Sequence, residues 1–363
     1  MKLPRIILYT VVLAFVVFLY LILKTLSFYI VPCVFGAFLA MLMLPINRKL
    51  ERWHIPRVAA IIISLLVILI VVVGIGSLFT SQVLAFAQDL PEIKNQLALK
   101  LDQLQHFIAE KTGVGIQSQM NYVDQVFDRI MNSTNVWVAS ILVSTGSTLA
   151  AIALMMVHFF LFLFYRNRIK EFFMQLLPAK GQDKADEVIN QIAKVSQQYL
   201  TGVVTVMAVL SVLNSTGFLL LGIRNAIFFG ILASVLNVIP YIGVWIGSAL
   251  PILMALITKD SFAYAIGVFL VIIFTQFIDN NFLTPRITGS QVKINALASI
   301  GIIIIGSAVW GVAGMILFIP LLGMLKIVFD NVEELKPFGY LIGDDGSGGD
   351  NQVKKLLRRY QKK

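Results

Sequence analysis

Charged residues are scarce in this chain, and cysteine is almost absent. Of the 363 residues, 13% are charged and 58% are hydrophobic, and the mean hydropathy is +0.86. This apolar content is far above that of an ordinary soluble domain, so the composition predicts an integral membrane protein. The single cysteine, Cys33, excludes both an intrachain disulfide and a cysteine metal cluster.

Two further signals are missing from the sequence. It contains no Gly-x4-Gly-Lys-Ser/Thr motif, which argues against an ATP-driven pump within this chain. The net charge is +10, yet no basic helix carries interleaved aromatic residues, so nucleic acid is not an expected partner. The basic residues gather in short loops and at the two ends, which is typical of orientation toward an anionic cytoplasmic leaflet. We expect membrane lipid as the environment, and neither a cofactor nor a bound metal.

Long apolar runs predict the transmembrane spans, because a helix needs roughly 20 mainly apolar residues to cross a bilayer. The loop Asn47–Arg57 carries four basic residues against Glu51 alone, which places this loop and the N-terminus in the cytoplasm. The chain is thus predicted to be an all-α polytopic membrane protein with about six full spans and cytoplasmic termini. The predicted spans are Ile6–Leu23, Phe28–Pro45, Val58–Thr80, Val136–Tyr165, Tyr199–Leu221 and Phe262–Ile278.

The polar interval 81–135 is predicted to form a small extracytoplasmic helical cap. Asp89, Pro91 and Glu92 resemble a capping-box start, and apolar residues then recur at helical spacing to about Lys111. A second, shorter helix is predicted near residues 120–130. Two interpretations stay open: a plain cap, or a contact surface between subunits.

Two later apolar segments are interrupted. Residues 226–257 contain Pro240 and Gly243 at their centre, and residues 300–329 contain a second break. Each segment is too long for one untilted span and too short for two full spans, so re-entrant helical hairpins and tilted spans are the alternatives. Hairpins are favoured because they keep Arg286 and Lys293 in the cytoplasm.

These segments lie in a predicted transport unit. The domain order is spans 1–3 in 1–80, the outer segment in 81–135, the fourth span in 136–180, an interfacial helix and transport unit in 181–330, and a basic cytoplasmic tail in 331–363. The transport unit comprises span 5, the broken segment 226–257, a span in 262–282, and the broken segment 300–329, and the interfacial helix precedes it.

Interrupted segments at corresponding positions are typical of inverted-repeat secondary transporters, whose site lies near the membrane midplane. Broken backbone at that depth is tolerated only where protein or a water-filled cavity surrounds it. The sequence therefore predicts alternating-access transport of a small polar solute. The predicted solute or ion pathway is Asn237, Pro240, Tyr241, Gly243, Gln276, Asp279, Asn280 and Asn281, and the predicted gating or loop residues are Pro285, Arg286, Gly311, Gly314 and Pro320.

Asp279 is the ionisable residue of this pathway, and it shares a helix face with Gln276 and Asn280. An ionisable group in or near a span is costly, so it is a functional candidate by default, and coupling to H⁺ or Na⁺ is one interpretation. The other interpretation is a helix-end residue at the cytoplasmic interface, paired with Arg286.

Three stretches, "LNVIPYIGVWIG", "DNNFLTPRITG" and "WGVAGMILFIPL", in this order between Leu236 and Leu321, resemble the autoinducer-2 exporter family of permease-like bacterial membrane proteins. The resemblance implies an oligomeric secondary transporter of the bacterial plasma membrane, connected with export of a small signal molecule or with cation/proton antiport. One departure stands out: Asn295 and Ala296 occupy the place where the family pattern has a histidine-proline pair.

Two other classes of function are weighed against transport. An intramembrane aspartyl or serine protease would require two membrane-embedded aspartates or a serine with a basic partner, and the sequence offers one candidate aspartate and no convincing Ser-His pair. We therefore expect that the chain is not an enzyme. A non-transporting membrane scaffold would rest mainly on the outer helical cap.

Overall fold

The computed structural model describes residues 5–112, 146–175, 182–240, 242–259, 261–288 and 294–344, and helices dominate these ranges. The one β feature within them is an isolated antiparallel bridge between Ile294 and Gly343. The helices are α1 Arg5–Thr25, α2 Ser27–Arg52, α3 Arg57–Thr112, α4 Gly146–Phe164, α5 Arg166–Gln175, α6 Gln182–Leu220, α7 Ala226–Leu236, α8 Ile242–Thr258, α9 Phe262–Ile278, a π-helix Asp279–Thr288, α10 Ala296–Asn331, a 3-10 turn Glu333–Leu335 and α11 Lys336–Ile342.

The chain is an all-α polytopic membrane protein, as its composition predicts. Within the described ranges, six helical stretches are long and apolar enough to cross a bilayer, and α1 adds a further apolar helix of 21 residues. The six stretches are Ser27–Arg52, Arg57–Gln82, Gly146–Phe164, Ala185–Leu220, Phe262–Ile287 and Ala296–Asn331.

The predicted helix start at Asp89 is wrong, because α3 is a single helix of 56 residues from Arg57 to Thr112. The capping-box pattern lies inside a helix that is already wound, and no glycine or proline between Thr80 and Asp89 ends the preceding turns. Pro91 removes one backbone hydrogen bond without ending the helix. The second predicted cap helix and residues 136–145 of the fourth span lie outside the described residues.

The first interrupted segment is a helical hairpin made of α7 and α8. Gly247 approaches the backbone of Ala233 so closely that an added Cβ would lie 2.8 Å from the Ala233 Cα atom, and a Cβ on Gly243 would overlap the Leu236 carbonyl. Gly243 thus pairs with Leu236 and Gly247 with Ala233, so later residues of α8 meet earlier residues of α7. The helices therefore lie antiparallel and in backbone contact.

The second interrupted segment, α10, is also a hairpin. Its helical winding breaks at Trp310 and Gly311, where Gly311 takes a left-handed φ of 59° that suits a residue without a side chain. In an unbroken helix Gly306 and Gly314 would lie about 12 Å apart along the axis. Instead, a Cβ on Gly306 would lie 2.5 Å from the Gly314 carbonyl oxygen, so the chain reverses between them. The rings of Trp310 and Phe318 pack edge to face across the turn at 5.1 Å.

The chain divides into two compact units. Unit 1 consists of Met1–Ile61, Leu154–Val206 and Asn280–Lys363, and it contains the α10 hairpin. Unit 2 consists of Ile62–Ala153 and Met207–Asp279, and it contains the α7–α8 hairpin. The core of unit 2 is an apolar cluster contributed by the end of α6, by α7, α8 and α9, with Phe218, Phe229 and Val268 almost fully buried. This packing fixes the hairpin against α9.

Candidate functional site

The candidate site lies in unit 2, where the turn of the α7–α8 hairpin meets the end of α9. Asn237 is the C-cap residue that follows α7, and Asp279 is the C-cap residue that follows α9. The side-chain amide of Asn237 donates a hydrogen bond to Asp279 Oδ2 at 2.9 Å. Asp279 is 4% exposed, so this bond to a carboxylate forms in a largely dry environment, where such bonds are strongest.

Local sequence explains why Asn237 is available at this point. Pro240 has no backbone N–H and disfavours helical geometry in the residue before it, so α7 cannot continue. The helix instead ends in a 3-10-like turn, in which the N–H groups of Val238 and Ile239 donate hydrogen bonds to carbonyls three residues earlier, at 3.2 and 2.8 Å. The Asn237 side chain is thereby held at the helix end beside Asp279.

A second set of polar contacts lies nearby, with all three side chains buried. Thr275 Oγ1 donates to Asn214 Oδ1 at 2.8 Å, and Asn214 Nδ2 donates to Ser234 Oγ at 3.1 Å. The chain of bonds therefore links α9, α6 and α7. Buried amides and hydroxyls need such partners, because an unsatisfied group costs about 1–3 kcal/mol.

Between these contacts lies a small polar cavity of about 20 Å³. A cavity of this size has room for about one water molecule or one small cation. Its apolar walls come from Leu210, Ala233, Val244 and Ile272, and its polar atoms from Asn214, Asn237, Ser248, Thr275 and Gln276. The cavity therefore offers amide and hydroxyl oxygens and lies next to the hydrogen bond between Asn237 and Asp279.

The structure brings three predicted pathway residues together, namely Asn237, Gln276 and Asp279. Gly243 lies one residue inside α8, where its lack of a side chain permits the close approach to Leu236. Pro240 lies in the hairpin turn, and Tyr241 lies outside the described residues.

The remaining predicted residues lie elsewhere. Asn280 and Asn281 are exposed on the π-helix. Gly311, Gly314 and Pro320 belong to the α10 hairpin of unit 1, where Gly314 and Pro320 are buried.

Pro285 and Arg286, predicted as gating or loop residues, lie on a helical segment rather than in a loop. The ten residues Asp279–Thr288 form a π-helix that includes Pro285. The missing N–H of one proline does not prevent the backbone from continuing with wider turns, and such π segments are frequent at functional sites. Pro285 and Arg286 are exposed, and the Arg286 guanidinium lies 5.8 Å from the centre of the Phe282 ring. Lys293, which is expected to lie in the cytoplasm, is outside the described residues.

Sequence reasoning missed Asn214, Ser234 and Thr275 as members of the site. Asn214 carried a usable signal, since a side-chain amide within an otherwise apolar span is costly unless a partner satisfies it. Ser248 also lines the cavity. Within the described ranges, no group of three or more His, Cys, Asp or Glu side chains could hold a metal ion.

Known transport proteins resemble this chain along most of its length. The model of the family described as "AI-2E family transporter" matches residues 9–334. The chain is 24% identical over 324 residues to "AI-2 transport protein TqsA" of Escherichia coli (strain K12), which covers 87% of this chain and 89% of TqsA. It is also 24% identical over 317 residues to "Putative transport protein YueF" of Bacillus subtilis (strain 168), which covers 84% of each chain.

Proposed function

The chain belongs to the AI-2E family of transporters, and from this premise we propose that it carries a small polar solute or signal molecule across the bacterial plasma membrane by alternating access. In this proposal it is a secondary transporter, an exporter or antiporter, driven by a gradient of H⁺ or Na⁺. Its two hairpins are re-entrant and enter the membrane from opposite faces, with both termini in the cytoplasm. The working unit is a homo-oligomer, in keeping with the family resemblance.

The hydrogen bond between Asn237 and Asp279 is the observation that carries this proposal. It ties the turn of a broken segment to the one buried carboxylate among the described buried residues. Broken backbone beside an ionisable group is the arrangement that transporters use to bind solutes and ions near the midplane.

Coupling follows from the chemistry of Asp279. As a carboxylate it accepts the Asn237 amide hydrogen and holds the hairpin turn against α9. When Asp279 is protonated or binds Na⁺, its negative charge is compensated, and the charge-assisted bond to Asn237 weakens. The hairpin turn is then free to move, which opens the pathway on one side.

We assign this structure to a closed state of the proposed cycle, because the cavity beside Asn237 is small. At about 20 Å³ it holds one water molecule or ion and is far too small for an organic solute. The hairpin is therefore closed against α9 in this conformation, and solute passage requires the turn to separate from α9. The solute panel should include AI-2, because the relative is named "AI-2 transport protein TqsA".

The test is gradient-driven flux in liposomes that contain the purified protein, with imposed pH and Na⁺ gradients and a panel of small polar solutes. Asp279→Asn keeps the shape of the side chain but removes its charge. We expect gradient-driven flux in the wild type, and loss of the gradient dependence in Asp279→Asn while solute exchange at equilibrium persists.

The matched control is Asp330→Asn, which neutralises a half-exposed carboxylate paired with Lys326 at 2.5 Å. This control should keep full gradient dependence. Wild-type gradient-driven flux in Asp279→Asn would contradict the coupling role of Asp279 but would still support transport. Absence of wild-type flux under every gradient would remove transport itself.

A further inference from the structure

Unit 1 contains a large apolar cavity that the proposed solute pathway does not use. Its volume is about 850 Å³, within the range of about 300–1,000 Å³ that ligand sites occupy. Its walls come from α2 between Ala37 and Leu44, from the end of α4, from α5, from α6 between Ala185 and Ala193, and from the end of α10. Fifteen of its eighteen lining residues are apolar. Such a lining suits hydrocarbon rather than a polar solute.

The three polar lining residues are Arg166, Lys170 and Asn331, and none of the lining residues is acidic. Arg166 Nη2 pairs with Glu51 at 2.5 Å, whereas Arg166 Nη1 is buried and has no hydrogen-bond partner among the described residues. Lys170 pairs with Asp186 at 2.5 Å, but its side chain is 44% exposed, and an ammonium group has three hydrogens to donate. Lys170 therefore retains accessible donors for an anionic group at the cavity, and the Arg166 guanidinium adds positive charge beside it.

The helix that carries both cations has the composition of an interfacial helix. α5 places Arg166, Arg168 and Lys170 in its first turns and then Phe172 and Phe173, which are 58% and 49% exposed. Basic residues next to exposed aromatic residues are typical of segments at the level of lipid headgroups. The cavity thus combines an apolar interior with a cationic edge at the predicted depth of a headgroup.

We propose that this cavity binds one anionic phospholipid of the surrounding membrane. An acyl chain lies along the apolar walls of α2 and α6, and the phosphate accepts a hydrogen bond from Lys170 Nζ, with the Arg166 guanidinium supplying a second positive charge nearby. Basic pockets between transmembrane helices are known to hold anionic headgroups in this way. The lipid would join α2, α5 and α6, which all contribute to the cavity. This inference does not depend on which solute is transported or on whether Asp279 couples an ion.

The test compares lipid retention by the purified full-length chain after exchange into nanodiscs or mixed micelles of phosphatidylglycerol and phosphatidylcholine with identical acyl chains. Native mass spectrometry counts the lipids bound to each protomer. We expect the wild type to retain about one phosphatidylglycerol, since a charge-assisted hydrogen bond favours the anionic headgroup. Lys170→Gln should lower this preference by about tenfold, which corresponds to the loss of one such bond.

Two further variants keep the result decisive. Arg168→Gln removes a basic residue of the same helix that does not line the cavity, and it should retain the wild-type lipid. Ala193→Phe fills the cavity without altering charge, and it should exclude both phospholipids; its folding is checked by circular dichroism.

Equal retention of the two phospholipids by the wild type would overturn the proposal, as would unchanged retention in Ala193→Phe or equal losses in Lys170→Gln and Arg168→Gln. Covalent cross-linking of a cysteine at residue 193 to a second copy would show that protein fills the cavity instead. Displacement of the bound lipid by a transported solute would assign the cavity to the solute.

Discussion

Thr275 and Asn214 are 61 residues apart in the sequence, yet the Thr275 hydroxyl donates a hydrogen bond of 2.8 Å to the Asn214 side-chain carbonyl. Both side chains are buried, so neither can exchange this partner for bulk water. The bond fixes α6 against α9 at the depth of the polar cavity. Together with the bond between Asn237 and Asp279, it makes the candidate site a property of several helices rather than of one motif.

Thr275→Val tests the first of these bonds. Valine has nearly the same shape but no hydroxyl, so Asn214 Oδ1 loses this donor in a buried position. We expect the free energy of unfolding to fall by about 1–3 kcal/mol, measured by thermal or denaturant unfolding in detergent. Thr205→Val is the matched control, because its exposed hydroxyl bonds to the Thr201 carbonyl within α6. An equal loss in both variants would contradict the assigned role of the Thr275 hydroxyl.

Asn237→Ala tests the bond to Asp279. The donor is lost from a buried carboxylate, so we expect destabilisation by about 1.5–3 kcal/mol and a change in the dependence of transport on the driving gradient. Asn190→Ala serves as control, since Asn190 donates the same kind of bond to Asp186, at 2.8 Å, on an exposed surface. There the loss should be within about 1 kcal/mol. If Asn237→Ala behaves like Asn190→Ala, the buried bond does not fasten the hairpin.

Gly314→Ala tests the α10 hairpin. A methyl group at this position would overlap the Gly306 backbone, so the two arms would have to separate, and we expect loss of transport and a clearly lower melting temperature. Gly301→Ala is the control within the same helix, because a Cβ there meets open space. It should be neutral or stabilise by about 0.5–1 kcal/mol, as alanine does in a helix interior. Tolerance of alanine at residue 314 would show that the arms need not touch.

Cysteine labelling tests the orientation. Because Cys33 is the only cysteine of the chain, Cys33→Ala gives a background in which Arg286→Cys is the sole target. With re-entrant hairpins we expect a membrane-impermeant maleimide to label residue 286 only after the cells are opened. Gly115→Cys, in the predicted outer segment, should be labelled in sealed cells. Labelling of residue 286 from outside would support tilted spans in place of hairpins.

Features that depend on local sequence were predictable. The helices follow from apolar runs, and the breaks follow from Pro240 and Gly311, because the conformations of these residues are set by their own covalent structure. The pairing of Asn237 with Asp279 was only partly predictable. Both residues are predicted as pathway members because polar side chains are costly within a membrane and because of their positions beside the breaks. Their hydrogen bond is not predictable in this way, since it depends on the folding of α8 between them.

Other features depend on whether local sequence preference or the neighbouring structure decides the conformation, which one sequence does not reveal. The pattern around Asp89 favours a helix start, yet the helix that precedes it is already wound and continues. The π-helix after α9 and the contacts of Asn214 and Ser234 depend on neighbouring helices, and their local sequences resemble ordinary loop and span residues. Tertiary contacts decide such positions, so a single sequence identifies the candidates and not their partners.

The length of α3 has a consequence for its surroundings. Its 56 residues extend over about 84 Å at 1.5 Å per residue, whereas the hydrocarbon core is about 30 Å thick. Even if the helix were strongly tilted, a large part of it would have to stand clear of the lipid as a stalk. The 30 residues of α3 that follow the span Arg57–Gln82 therefore exceed the length that the hydrocarbon core can hold, and they are left to aqueous surroundings.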